Sequence, residues 1–290
     1  MKLCLFDDHR IGVVTGTGVV DVTLAFAHVP KASWPYPPGD WLIQNFAAAR
    51  EEVEQIAASG TPLPLDQVQL LSPVANPGKI IGAPINYKDH IDEANADNEI
   101  NHGKTYTELD KFGLFLKANS SLIGCSQEIQ IPFADRRTDH EVELAVIIGR
   151  TAKRVSRAAA LDYVLGYCIG LDMTVRGPEF PTFRKSPDTF CVLGPWMVTK
   201  DEISDPNNLD LSIRVNGEVK QSSNTKYLIF DVQRLIEYAS AIYTLHPGDV
   251  IMTGTPAGVG PVAAGDVLNA SVQGIGAMSV RVARESASAG

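Results

Sequence analysis

The segment Asp139-His140-Glu141-Val142-Glu143-Leu144-Ala145-Val146-Ile147-Ile148-Gly149 sets an acidic pair into an apolar run of strand type. A strand's two-residue period turns Glu141 and Glu143 to one face and Val142, Leu144, Val146 and Ile148 to the other. Two carboxylates side by side on an otherwise apolar strand repel each other and lose hydration, unless something positive sits between them. A divalent cation meets both costs. Oxygen ligands without histidine or cysteine favour Mg²⁺, Mn²⁺ or Ca²⁺ over zinc. The competing reading is a half-exposed edge strand whose acidic face is simply solvated.

Outward from this segment, short strand-like runs dominate: 114–117, 167–171, 211–215, 250–252 and 267–272, with Asn216-Gly217 as a hairpin turn. Asp172 closes the apolar run 167–171, where it reads either as a site residue or as an N-cap. Two helices are expected to interrupt these runs, near 157–164 and 229–241. Before residue 79 the chain reads as three strands (2–6, 11–14, 19–22) and one helix capped by Asp40, with Leu42, Phe46, Ala49, Val53 and Ile56 at helical spacing and Gly60 at its end. The proline-bearing connector 61–77 carries one short strand at 68–71. The expected organisation is therefore a small N-terminal α+β domain, 1–72, followed by a mostly β unit with few helices, 73–290; the small-residue tail 286–290 is expected to fray.

Composition narrows the function. Of 290 residues, 34 are acidic and 25 basic, a net charge of −9 that repels phosphate backbones and argues against a nucleic-acid partner. No apolar run approaches the ~20 residues of a membrane span. Asp7 and Asp8 interrupt the stretch a signal peptide needs, so the cytoplasm is the expected compartment. Cys4, Cys125, Cys168 and Cys191 are widely spaced, which suggests free thiols rather than a zinc site or disulfides.

A second chemical feature lies in Asn86-Tyr87-Lys88-Asp89-His90-Ile91-Asp92-Glu93, which reads as the opening of a helix. His90 and Glu93 are three apart and so share a helix face, where the carboxylate can orient the imidazole. Alone, the pair is equally a surface histidine beside a surface acid.

The motifs occur in a telling order: Asn86-Tyr87, His90-x-x-Glu93, Glu141-x-Glu143, Leu171-Asp172-Met173-Thr174, Lys185-Ser186-Pro187-Asp188-Thr189-Phe190, Leu193-Gly194-Pro195-Trp196, Val215-Asn216-Gly217-Glu218, the run from Pro247 to Gly260 and Gly274-Ile275-Gly276. Together they resemble the fumarylacetoacetate hydrolase superfamily over about 79–282. The resemblance implies a mixed β-sandwich or roll, a homodimer, and one Mg²⁺ or Mn²⁺ on Glu141, Glu143 and Asp172. It implies a small-molecule 2-oxo acid substrate and a metal-dependent hydrolase that cleaves a C–C bond in acylpyruvate-type (2,4-dioxo) acids, as in catabolism of aromatic compounds. The metal stabilises the departing enolate while His90, oriented by Glu93, activates water. Lys185 matches the family's active-site lysine, and Tyr87, Arg176 and Thr255 match substrate-binding positions. The alternative within the family is an isomerase or decarboxylase of 2-hydroxyhepta-2,4-diene-1,7-dioate or oxaloacetate-like acids.

One departure stands out. Many members carry R-D-x-Q after the metal aspartate, where this chain has Arg176-Gly177-Pro178-Glu179. The acid is expected to alter which distal substrate groups are accepted. The polar segment 91–110, starting at the dyad, is expected to act as a lid.

Overall fold

The Val142–Ile148 strand lies near the middle of the molecule, antiparallel to Val164–Asp172 on one side and to Val250–Met252 on the other. The structure, a computed structural model, describes residues 1–16 and 18–284, so the 286–290 tail lies outside the described residues. All of Val142–Ile148 is buried. Ala145 and Ile147, on the Glu143 face, are as deeply covered as Val142, Leu144, Val146 and Ile148 on the other. A run that is apolar on both faces is the signature of a strand sandwiched between layers. That excludes the solvated edge strand.

This strand belongs to a twelve-stranded mixed sheet. Beyond Val164–Asp172 comes Cys191–Thr199, and beyond that Lys2–Phe6, Arg10–Thr15 and Gly18–Asp21. Lys2 faces Val198 and Leu3 faces Met197, so strands from the N-terminal segment extend the central sheet. On one face, Val142, Leu144 and Val146 share a core with Leu211, Ile213, Leu268 and Val280 of a five-stranded sheet. The two sheets make the expected sandwich. On the other face, Ala145, Ile147, Leu193 and Met252 pack with Leu42, Ile43, Phe46, Ala49 and Val53 of the Trp41–Ser59 helix.

That helix begins where Asp40 predicts. Asp40 Oδ1 accepts from the backbone N–H of Ile43 at 3.1 Å, and Oδ2 from the N–H groups of Ala75 and Asn76 at 2.9 Å each. One side chain therefore caps the helix and pins it to the chain leading into the central sheet. Asp40→Ala is expected to cost about 2 kcal/mol, a cap plus its anchoring bonds, read as a lower urea midpoint at unaltered slope. Gly60 ends the helix for a different reason than the expected left-handed cap. Its φ of −74° is extended, and a Cβ there would meet Val20 Cγ1 at 2.4 Å, so contact with the neighbouring strand is what requires glycine.

The Asn216-Gly217 turn joins Asp210–Val215 to Glu218–Asn224 as expected. The helix expected at 229–241 spans Val232–Ile242, delayed because Asp231 caps it by accepting from Arg234 N. The helix expected near 157–164 is a 3-10 helix, Arg157–Tyr163, with only Ala160 buried; it has too little apolar face to hold α geometry. Among the described residues no helix is long and apolar enough to cross a membrane. All four cysteines are free and buried, and burial pushes the Cys191 thiol up to about 12, which suits a packing residue rather than a nucleophile.

Candidate active site

Strand register assembles the acidic cluster. Val142 pairs with Leu171 and Glu143 with Gly170, and the N–H of Asp172 donates to the carbonyl of Glu141 at 2.9 Å. Asp172 is thereby a ladder residue rather than a helix cap, carried across to the acidic pair. Carboxylate oxygens of Glu141, Glu143 and Asp172 lie within 4.8 Å of one another, and all three residues are buried. From the third strand's end, Gly254 N–H donates to Glu143 Oε2 at 2.7 Å. Gly254 has φ +97°, and a Cβ would meet Asn86 Cβ at 2.7 Å, so glycine alone permits this approach.

Three basic side chains thread through the acids. Lys185 Nζ donates to Glu141 Oε2 at 2.6 Å, Asp172 Oδ2 at 2.7 Å and Thr174 Oγ1 at 2.7 Å, which uses all three of its hydrogens. Lys185 is thus a counter-charge within the cluster, with no hydrogen left for a substrate oxyanion in this arrangement. Arg176 bonds Glu141 Oε1 at 3.0 Å and Asp139 Oδ2 at 2.7 Å. Lys117 Nζ donates to Asp172 Oδ1 and, at 3.0 Å, to the carbonyl of Phe190. Lys117 is the main residue that sequence reasoning missed; its signal was a lysine closing the apolar run 114–116.

The electrostatics split the acids. Burial alone would raise Glu141, but Lys185 and Arg176 overcome it and hold its carboxyl below the usual range. Burial, then the charges of Asp172 and Glu141, push Glu143 well above that range. Burial opposes the charge on Lys185, and Asp172 and Glu141 outweigh it.

The dyad is formed as expected. His90 and Glu93 lie on the Lys88–Ala96 helix, with His90 Nδ1 2.9 Å from Glu93 Oε2. Glu93 Oε1 accepts from Gly258 N–H at 2.8 Å, so the carboxylate is held at both oxygens. His90 and Glu141 line one cavity of about 660 Å³, together with Arg176 and Lys185. Over it lies the segment expected as a lid. It continues the Lys88–Ala96 helix into the helices Asn98–Asn101 and Leu109–Phe112, and it buries Ile91, Ala94, Ile100, Asn101 and Leu109. Arg137 ties it down through Asp97 at 3.0 Å and Glu99 at 2.9 Å, and itself bonds Asp139.

Thr255 and Tyr87, also expected as substrate contacts, lie beside the acids, Thr255 against Val142 and Tyr87 near Glu143. Thr255 donates its only hydroxyl hydrogen to the carbonyl of Val142 at 2.9 Å and accepts from Gln221 Nε2 at 2.8 Å, so its hydroxyl braces the sheet. Gln221 also accepts from Val142 N–H and His140 Nδ1, a buried bracket that nothing in the sequence announces. Tyr87 lines a separate recess of about 150 Å³; its hydroxyl is buried without a partner among the described residues, and burial with the nearby Glu143 charge raises its pKa. Glu179, the departure from the family pattern, gives both carboxylate oxygens to Arg136, at 3.1 and 2.8 Å, and does not face the cavity.

A family model described as fumarylacetoacetate (FAA) hydrolase, C-terminal, matches residues 79–283. Maleylpyruvate hydrolase of Aquipseudomonas alcaligenes is 52% identical over 284 residues, 97% of this chain and 99% of that protein. The solved structure of maleylpyruvate hydrolase from Sphingobium sp. SYK-6, in complex with manganese(II) ion and pyruvate, is similar with a TM-score of 0.85 at 39% identity, over 99% of this chain and 100% of that one. The 2-hydroxyhepta-2,4-diene-1,7-dioate isomerase of Mycobacterium marinum is similar with a TM-score of 0.66 at 38% identity, over 79% of this chain and 83% of that one.

Proposed function

The chain belongs to the fumarylacetoacetate hydrolase family, and on that premise we propose that it is a divalent-metal-dependent hydrolase that cleaves a C–C bond in acylpyruvate-type 2,4-dioxo acids. One observation carries this reading: Glu141 of a three-carboxylate cluster and His90 of a His–Glu pair line the same cavity. The donor set fits a hard divalent cation. Glu141, Glu143 and Asp172 would hold Mg²⁺ or Mn²⁺, which supplies positive charge to the 2-oxo acid end of the substrate. That the similar Sphingobium enzyme is found in complex with manganese(II) and pyruvate supports a divalent cation and a 2-oxo acid as ligands.

The chain's own residues do the rest. Glu93, facing Nδ1, keeps the imidazole proton on that atom and leaves Nε2 of His90 as the base. Nε2 takes a proton from water, the hydroxide adds to the distal carbonyl, and the bond between that carbonyl and the neighbouring methylene breaks. The proton returns from Nε2 to the methylene carbon, giving pyruvate and a carboxylic acid. Such a base typically contributes roughly 10²- to 10⁴-fold. Lys185 and Arg176 offset part of the repulsion among the acids by pairing with Glu141 and Asp172.

The test is a panel of 2,4-dioxo acids, oxaloacetate and 2-hydroxy-dienoic diacids, assayed in chelator and after restoring Mg²⁺ or Mn²⁺. Pyruvate release from 2,4-dioxo acids, lost in chelator and restored by metal, is expected. Keto–enol interconversion without C–C cleavage would favour the isomerase reading, which the similarity to the Mycobacterium marinum enzyme supports. The proposal extends to a cytoplasmic homodimer, for which light scattering should report twice the 31.3 kDa chain mass.

A further inference from the structure

An alternating row of charges joins the lid to the metal carboxylates, and Arg137 stands in the middle of it. Its Nε and Nη2 pair with the two oxygens of Asp139 at 2.7 and 3.0 Å, and Asp139 is fully buried. Asp139 Oδ2 also accepts from Arg176 Nε at 2.7 Å, and Arg176 Nη2 donates to Glu141 Oε1 at 3.0 Å. On its other side Arg137 turns Nη1 outward, where Asp97 Oδ2 accepts at 3.0 Å and Glu99 Oε2 at 2.9 Å. Two-point pairing with a buried carboxylate fixes the plane of a guanidinium. The outward edge is therefore preset, with one hydrogen for each lid acid.

Asp97 is the joint between the lid and the dyad. Its N–H closes the Lys88–Ala96 helix on the carbonyl of Glu93 at 3.1 Å, and its Oδ1 caps Asn98–Asn101 by accepting from Glu99 N–H at 2.8 Å. The front of the dyad helix is anchored by buried Asn86, whose side chain bonds the backbone of Phe230 and Thr253 at 2.7 to 2.8 Å. Its far end meets the chain that carries Glu141 and Glu143 through Asp97 and Arg137. Held only at Asn86 and through the Glu93 side chain, the helix would be free to tilt; the strap at its far end keeps His90 at a set distance from Glu141. We infer that Arg137 is a positioning residue for His90: by strapping Asp97 and Glu99 to Asp139, it seats the dyad helix over the metal carboxylates. This deepens the hydrolase reading above, on which its kinetic consequence rests. Displacing a reacting group by about an ångström is enough to cost roughly 100-fold.

The test is a double-mutant cycle on Mn²⁺-loaded protein, read as pyruvate release from a 2,4-dioxo acid. Arg137→Gln should lower kcat by roughly 10- to 100-fold with KM altered less than about threefold. In a His90→Ala background, where no base is left to seat, the same change should cost less than about twofold. Asp97→Asn combined with Glu99→Gln should behave alike while leaving the Arg137–Asp139–Arg176 pairs in place, and it serves alone should Arg137→Gln not fold. Arg137→Lys, a single point charge, should recover only part of the rate. Equal losses in both backgrounds would make Arg137 a support for the acids, and no loss would remove it from catalysis; either overturns the assignment. Two further measurements do not depend on turnover. On metal-free protein, hydrogen exchange across 91–110 should rise by about tenfold in the Arg137→Gln and lid-acid variants while 142–148 stays protected. Calorimetric Mn²⁺ affinity should stay within about threefold of native. Unaltered exchange, or lost metal affinity, overturns the strap. If no 2,4-dioxo acid is cleaved but exchange rises as expected, the hydrolase reading fails and the strap stands. If cleavage proceeds with exchange unmoved, the strap fails and the hydrolase reading stands.

Discussion

Glu143→Gln is expected to reduce turnover by roughly 1,000-fold or more, because positive charge from a bound cation is worth several kcal/mol and each 1.4 kcal/mol is about a factor of ten. The amide keeps the shape of the side chain and an acceptor for Gly254 N–H. It also removes a carboxyl that burial and its neighbours already push toward the neutral form. The fold should therefore survive: the melting temperature of the variant in chelator should equal or exceed that of the native protein in chelator. Activity and metal titration are measured in parallel. Native-like turnover by the variant in excess chelator would show that these acids do not hold the working cation.

His90→Ala should separate the reactions that the family performs. Hydrolysis needs an activated water, so its rate should fall by roughly 10²- to 10⁴-fold. Keto–enol conversion or decarboxylation, driven by charge at the 2-oxo acid end, should fall much less. Glu93→Gln is the companion variant: its single amide oxygen can accept from His90 or from Gly258 but not from both, so it removes the charge that steadies the imidazolium and one of the two bonds that hold the side chain. Both activities are read on one preparation by following pyruvate release and enol absorbance. Equal losses in the two would assign the dyad to positioning and move the function toward the isomerase.

The parts of this site that could be read from the sequence are those whose geometry is local. Period two put Glu141 and Glu143 on one face, a three-residue spacing put His90 beside Glu93, and Asp40 before an apolar helical pattern marked a cap; each depends on a handful of adjacent residues. Motif order then supplied Asp172 and the sandwich. What escaped depends on which distant segments meet. Lys117 and Asp172 are 55 residues apart, and Gln221 and Val142 are 79 apart. No periodicity encodes such meetings. Arg176, Lys185 and Thr255 were found by pattern, yet the structure gives their polar atoms to the protein itself, because burial obliges each donor to find an acceptor. Glu179 teaches the same lesson: its identity was visible, but its partner Arg136, 43 residues away, was not.

The layered position of Val142–Ile148 has a consequence for how the protein comes into being. Glu141, Glu143 and Asp172 leave the ribosome before Lys185 and long before Gly254, whose contact with Glu143 spans 111 residues. Contacts at such separations close late, after local hairpins and helices have formed. During synthesis the three acids therefore belong to a hydrated strand pair, missing both the lysine between them and the N–H at their end. Only when Val250–Met252 docks against Ala145–Ile147 and carries Gly254 into place does water leave. Assembly of the centre therefore waits on a late strand, and a chain that stops before Val250 would display its acids without yet having a centre.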